Sequence, residues 1–230
     1  MRALSLLVLL PALLGPGLVA AQSLQAALPD YRLLSSTETA SFERALLEAL
    51  AEALEQPVAV TQQPGSADLR LGPAEVGALY YQAIPAALTA NEDGVSEWRH
   101  LRNQPVCLAA ASPYAPLMQR FGAQPREYPS TAHALIGLKL GECRAVVEDQ
   151  RLLTEMAELP EWRRYNSLLE ALPEGEQRLR ISTSDAALQA KLDELLAQWH
   201  ETGKLEELIA YWINEVAFEA YVLADTLDCH

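Results

Sequence analysis

Apolar side chains recur at helical spacing near the start, in the middle and near the end of the chain, with strand-like runs between them. Phe42, Leu46, Leu47, Leu50 and Leu54 form one stripe, with Glu43, Arg44, Glu48 and Glu52 on the opposite side, and Gln56-Pro57 stops the pattern. This predicts an amphipathic helix. Tyr31-Arg32-Leu33-Leu34-Ser35 before it reads as the first strand; Val58-Ala59-Val60 and Asp68-Leu69-Arg70-Leu71-Gly72 after it read as two more, separated by the turn Gln63-Pro64-Gly65-Ser66. Near the end, Leu188, Leu192, Leu195 and Trp199 make a second stripe behind the capping pair Ser184-Asp185. Gly203 closes that helix. Leu205, Leu208, Ile209 and Trp212 then begin another, and the tail from Ile213 to His230 is helical in composition.

The middle stretch, Trp98 to Asp149, alternates more strictly. Gln104-Pro105 precedes the short apolar run Val106 to Ala110, which fits a buried strand, and Ser112-Pro113 then starts a helix through Leu117, Met118 and Phe121 that ends at Gly122. A short strand leads to Glu127-Tyr128-Pro129, and Ser130 or Thr131 caps a helix carrying Ala134, Leu135, Leu138 and Leu140, closed by Gly141. Cys143 to Asp149 is a further strand ending in a carboxylate. Strand-to-helix crossovers of this kind require a parallel sheet covered by helices. Ligands of such sheets gather at the carboxyl ends of the strands.

In order and spacing, the run from WRHLRNQPVCLAAAS to GECRAVVED resembles the second lobe of periplasmic solute-binding proteins of the polar amino-acid-binding type. LYYQAIPAALT is similar to their aromatic-rich segment and the hinge strand after it, and KLDELLAQWHETGKLEELIAYW to their closing helix pair. The resemblance implies an α/β fold of the type II periplasmic binding protein kind: two lobes, each a mainly parallel sheet covered by helices. Residues 22–88 with 179–230 form one expected lobe, 89–178 the other, and the return crossing falls at Gly175 to Ile181.

Met1-Arg2, an apolar run from Ala3 to Leu14 and the small residues Val19-Ala20-Ala21 have the layout of a secretory signal over 1–21, too short to span a membrane. The mature chain is therefore expected in the periplasm. Losing that segment takes Arg2 from the 17 basic residues and leaves 16 against 31 acidic, a net charge of −15. Such a surface repels phosphate backbones, so nucleic acid is not an expected partner. Three cysteines in an exported chain suggest one disulfide and one leftover thiol. Some of the resembled proteins have cysteines at the positions of Cys107 and Cys143, which implies that pair; Cys143 with Cys229 is the competing pairing, and Cys229 with His230 does not complete a metal-ligand set.

The resemblance also implies a ligand site. Ser112 stands where the family has a ligand-binding serine or threonine near helix N–H groups, with simple helix capping as the equal alternative. Asp149 matches the carboxylate that takes a ligand ammonium. Tyr80 and Tyr81 are candidate lining residues, although alternation along a strand predicts one in the core and one outside. The family's arginine for the ligand carboxylate is missing from Pro73-Ala74-Glu75-Val76-Gly77-Ala78, and the loop after the first strand, which brings an aromatic to the ligand, reads as shortened at Ser35 to Thr39. His100, His133, His200 and His230 are scattered and no catalytic motif stands out, so neither an enzyme nor a cofactor is expected. A dehydratase-like pairing of Glu75 with Asp149 rests on analogy of fold alone. The expectation is a protein that closes on a small, amino-acid-like solute and delivers it to the permease subunits of an ABC importer. The alternative, favoured by the missing arginine and the short loop, is a sensor or accessory subunit with another ligand or a periplasmic protein partner.

Overall fold

The computed structural model describes residues 23–37 and 39–227, so the signal-like segment, Cys229 and His230 lie outside the described residues. In chain order the elements are β1 (Leu24–Ala27), α1 (Phe42–Ala53), β2 (Val58–Val60), β3 (Leu69–Pro73), β4 (Ala78–Ala83), β5 (Pro85–Thr89), β6 (Pro105–Ala109) and α2 (Ala115–Arg120). There follow β7 (Gln124–Tyr128), α3 (Thr131–Lys139), β8 (Ala145–Asp149), α4 (Gln150–Glu158), β9 (Ser167–Leu169), β10 (Gln177–Ser182), α5 (Ala186–Thr202) and α6 (Lys204–Leu227).

The strands form two five-stranded sheets, in the orders β2-β1-β3-β10-β4 and β7-β6-β8-β5-β9. In each, three parallel strands are followed by an antiparallel one. The chain leaves the first sheet after β4 and returns to it with β10. Pro85–Thr89, expected at the end of the first lobe, pairs instead with β8 and β9 in the second sheet, so the crossing is at Ile84.

One expected strand is displaced. β1 is Leu24–Ala27, not Tyr31–Ser35. Its alanines have little preference for strands, and it is set by parallel neighbours on both sides, β2 and β3. Tyr31, Leu33, Leu34 and Ser35 are buried but belong to the loop between β1 and α1, where Leu34 takes a left-handed backbone with φ of 47°.

The cysteines at 107 and 143 are joined by a disulfide, buried in the second lobe. A continuous apolar core runs from Leu33, Phe42 and Leu46 in the first lobe to Leu135, Leu138 and Val146 in the second. Helix α6 carries much of that continuity. Leu205, Ile209, Ile213 and Val216 are buried on its inner face, which packs on α5 and α1 from one lobe and on α3 and α4 from the other. Among the described residues no helix is long and apolar enough to cross a membrane.

Candidate functional site

The carboxyl end of β8 faces the loop that follows β1, and this is where a ligand of a two-lobed α/β protein would sit. Glu148 and Asp149 end β8, and both side chains are buried. A buried carboxylate requires partners, and the chain supplies several to each of these two. Glu148 accepts a hydrogen bond from the Tyr31 hydroxyl, a second from Thr131 Oγ1 at 3.3 Å and a third from the backbone N–H of Asp149 at 3.1 Å. Tyr31 comes from the loop after β1, so this contact ties the lobes together.

The same loop reaches the start of α3. Ser130 caps that helix, accepting from His133 N at 3.3 Å, while its hydroxyl donates to Ser36 O at 3.0 Å. Thr131 N, one of the open donors of a helix N-terminus and suited to an anion, donates to Ser35 Oγ at 3.2 Å. The acceptor is thus a serine of the first lobe. Leu34 between Tyr31 and Ser35 holds its left-handed conformation within this packed loop, at a cost of about 1–3 kcal/mol that the surrounding contacts offset.

Asp149 is equally engaged. Its Oδ1 accepts from the Tyr81 hydroxyl at 2.7 Å and from Arg151 N and Leu152 N at 3.1 and 3.4 Å, which makes it the N-cap of α4. Its Oδ2 accepts from Ile84 N at 3.1 Å, at the first crossing between lobes. That crossing is held further by Gln150 N, which donates to Ile84 O at 2.8 Å, and Leu172 N, which donates to Pro85 O at 2.8 Å. The second crossing packs on it: a Cβ on Gly175 would come within 2.5 Å of Pro85 Cγ. The hinge and the expected ligand carboxylate are therefore parts of one hydrogen-bonded structure.

Tyr80 and Tyr81 are both buried, against the alternation expected of a strand. The cause is a β-bulge. Tyr81 lies opposite Leu179 and Leu79 opposite Arg180, so Tyr80 is the extra residue and both rings reach Phe42, with centroids 6.1 and 5.8 Å away. Ser112 is buried at the end of β6, where its Oγ accepts from Tyr114 N at 3.3 Å; α2 begins only at Ala115, so the expected cap is a turn before the helix. Its neighbour Tyr114 lies edge-on to Tyr31, ring centroids 6.2 Å apart, and the Tyr114 hydroxyl is buried without a hydrogen-bond partner.

Glu75 does not join this group. It is exposed in the turn from β3 to β4 and lines a polar groove of about 540 Å³ with Ala74, Glu176, Gln177, Arg178 and Arg180. The turn is tight: Gly77 has φ of 122°, and a Cβ there would meet Ile181 O at 2.5 Å. Arg180 donates to Gly77 O at 2.7 Å and so holds the turn rather than replacing the missing arginine. The expected shortening of the loop after the first strand is not observed. With β1 at Leu24–Ala27, that loop runs to Ser41 and supplies Tyr31, an aromatic at the seam.

Burial dominates the electrostatics. It pushes the Glu148 carboxyl up to about 7, against the opposing pull of the Tyr31 hydrogen bond. It raises Asp149 too, opposed by the bonds from Tyr81 and Ile84. Tyr31 and Tyr81 are raised by burial and by the carboxylates beside them, so both hydroxyls stay protonated donors. In chemical terms the seam is a hydrogen-bonded set of carboxylates and hydroxyls, with the Tyr114 hydroxyl left over beside it. Among the described residues no group of three or more histidines, cysteines and carboxylates is placed to hold a metal ion.

No protein-family model and no curated protein matches the chain by sequence. Solved structures do match its fold. A substrate-binding protein of an amino acid ABC transporter aligns with a TM-score of 0.59 at 14% identity, covering 83% of this chain and 99% of its own. An arginine transport-system periplasmic binding protein from Legionella pneumophila aligns at 0.56 and 13% over the same shares. An ancestral amino acid-binding protein, a precursor of cyclohexadienyl dehydratase, gives 0.62 and 17%, covering 83% of this chain and 95% of its own. The chain therefore has the two-lobe fold of the type II periplasmic binding proteins, in the form found in amino-acid ABC transporter receptors.

Proposed function

We propose that this chain is an exported binding-protein module that no longer captures free amino acids and acts as a periplasmic sensor or accessory subunit, through a protein partner. The observation that supports this reading is the hydrogen bonding of the seam's carboxylates. Glu148 and Asp149, where a solute would bind, receive seven hydrogen bonds from the chain itself. A solute would have to displace these bonds and leave buried donors unpaired, at about 1–3 kcal/mol for each. The missing arginine favours the same reading, since Pro73 to Ala78, the segment that carries the bidentate clamp for an α-carboxylate in the resembled family, has none. Export is supported by the signal-like 1–21 segment and by the Cys107–Cys143 disulfide, which an oxidising compartment maintains.

A second reading, the solute receptor of an ABC importer, is favoured by one observation: the unpartnered Tyr114 hydroxyl beside the carboxylates offers a polar contact to a small ligand in an opened seam. A thermal-shift screen of the mature protein against amino acids, organic acids and polyamines separates the two. The accessory reading expects no shift. A solute held at one hundred times its dissociation constant adds about 2.7 kcal/mol, and such a hit, lost in Tyr114→Phe, would establish the importer reading.

A further inference from the structure

We infer that the outward face of α6 is a docking surface for a basic, amphipathic helix of a partner protein. The inference rests on the reading of this chain as a module that acts through a protein, and it names the surface and the chemistry of the partner.

Among the described residues, three of the exposed large apolar side chains lie on this one helix: Tyr211, Phe218 and Tyr221, at 55%, 63% and 54% exposure. They are spaced by seven and three residues, which places them on one side, and they extend over about 15 Å at the rise of an α-helix. Seven-and-three spacing is that of a helix-pairing seam. The opposite side of α6 is already occupied by the two lobes through Leu205, Ile209, Ile213 and Val216, so among the described residues the aromatics stay more than half exposed, with only the edge of Trp212 against Tyr211.

The charges on the helix specify what fits. From Lys204 to Leu227 it has five carboxylates and one lysine. Glu207 and Asp225 lie in line with the aromatics at either end, and Glu215 lies along one edge. Lys204 does not offset them, because its ammonium stacks over the Trp199 ring, 4.3 Å from the centroid. An antiparallel second copy would bring Glu207 against Asp225, and an anionic membrane surface would meet the same repulsion. A helix with apolar side chains flanked by lysine or arginine satisfies both the aromatics and the carboxylates.

The test uses the full chain in the cell that makes it, with a benzophenone photo-crosslinker replacing Phe218 and, as a control, Glu48 on the exposed side of α1. The expected result is an adduct at 218 and not at 48, with the crosslinked segment mapping to an apolar sequence of net positive charge. The adduct should fall at least tenfold in the Glu207→Lys, Asp225→Lys double variant, whose melting point stays near that of the parent because both sites are exposed. No adduct above the control, an adduct between two copies, an adduct with lipid, or an acidic partner segment would each overturn the inference. An amino-acid hit in the thermal-shift screen would instead sink the accessory reading and leave the crosslink result standing, so the two failures are distinguishable.

Discussion

The two lobes share one strand order and differ in what joins the strands: the second lobe has α3 between β7 and β8 where the first has only a short turn between β2 and β3, and they differ again after the third parallel strand. In the second lobe the strand equivalent to β3 is β8, and it leads into α4 with Asp149 as the cap. In the first lobe β3 leads only into a four-residue turn, Ala74–Gly77, and then β4. A helix after the third strand gives a lobe a ring of open N–H donors at the cleft, and a turn does not. In the second lobe the two carboxylates that end β8 turn inward, onto Tyr31, Tyr81 and Ile84. The first lobe has no helix after β3, and supplies the Tyr31 and Tyr81 side chains to those carboxylates. The comparison teaches that one strand order can end in a buried, hydrogen-bonded pair of carboxylates in one lobe and in an exposed turn in the other.

Variants can break this contrast, and the largest effect lies within the second lobe. Replacing Cys107 and Cys143 with alanine opens a cross-link over a sequence separation of 36 and should cost about 4 kcal/mol, read as a lower urea midpoint. Asp149→Ala should come next, at about 3 kcal/mol, because it removes a helix cap and leaves the Tyr81 hydroxyl and Ile84 N–H unpaired. A ligand carboxylate facing an open cleft would instead be removable without loss of stability, so an unchanged midpoint would restore the receptor reading.

A third effect is pH dependence, with one contribution from each lobe. Glu148 at the seam and Glu43 in the first lobe, buried and accepting from Leu33 N at 2.9 Å, are both pushed by burial up to about 7 from 4.5. The folded state then holds more protons than the unfolded chain between those values, so stability is greatest at acid pH and falls as pH rises through 7. The full loss is on the order of 3 kcal/mol for each carboxyl. Melting points at pH 5 and pH 8 should show it, Glu148→Gln and Glu43→Gln should each remove one share, and the raised Asp149 carboxyl should leave a remainder of the same sign. The smallest effect belongs to the turn of the first lobe: Glu75→Ala should change stability by less than about 0.5 kcal/mol, as expected for an exposed side chain.

The second lobe was legible in the sequence because its strands and helices alternate with clear stops, at Gly122, Gly141 and Pro105. The helix caps at Ser130 and Asp185 could be read for the same reason, since short polar side chains before apolar stripes have a local cause. β1 could not be read this way. Leu24-Gln25-Ala26-Ala27 carries almost no strand signal, and the more apolar Tyr31 to Ser35 drew the assignment; the loop after β1 was then judged too short. The site was half legible. Asp149 was found as a special carboxylate, but Glu148 was missed, although two acids closing the run Ala145-Val146-Val147 were a sign that charges would be buried and need partners. The joint burial of Tyr80 and Tyr81 depends on a bulge, which arises from pairing with a strand almost a hundred residues away.

The strand order of the first sheet bears on how the molecule comes into being. β4 has a single neighbour, β10, and β10 separates it from β3. During synthesis from the N-terminus, the whole second sheet, residues 85–169, is complete before β10 emerges. The later-numbered lobe can therefore fold first, as a contiguous unit, while β4 waits with both edges bare. For that interval the nascent chain carries an unpaired strand containing Leu79, Tyr80 and Tyr81, the kind of edge that pairs wrongly when it is left open.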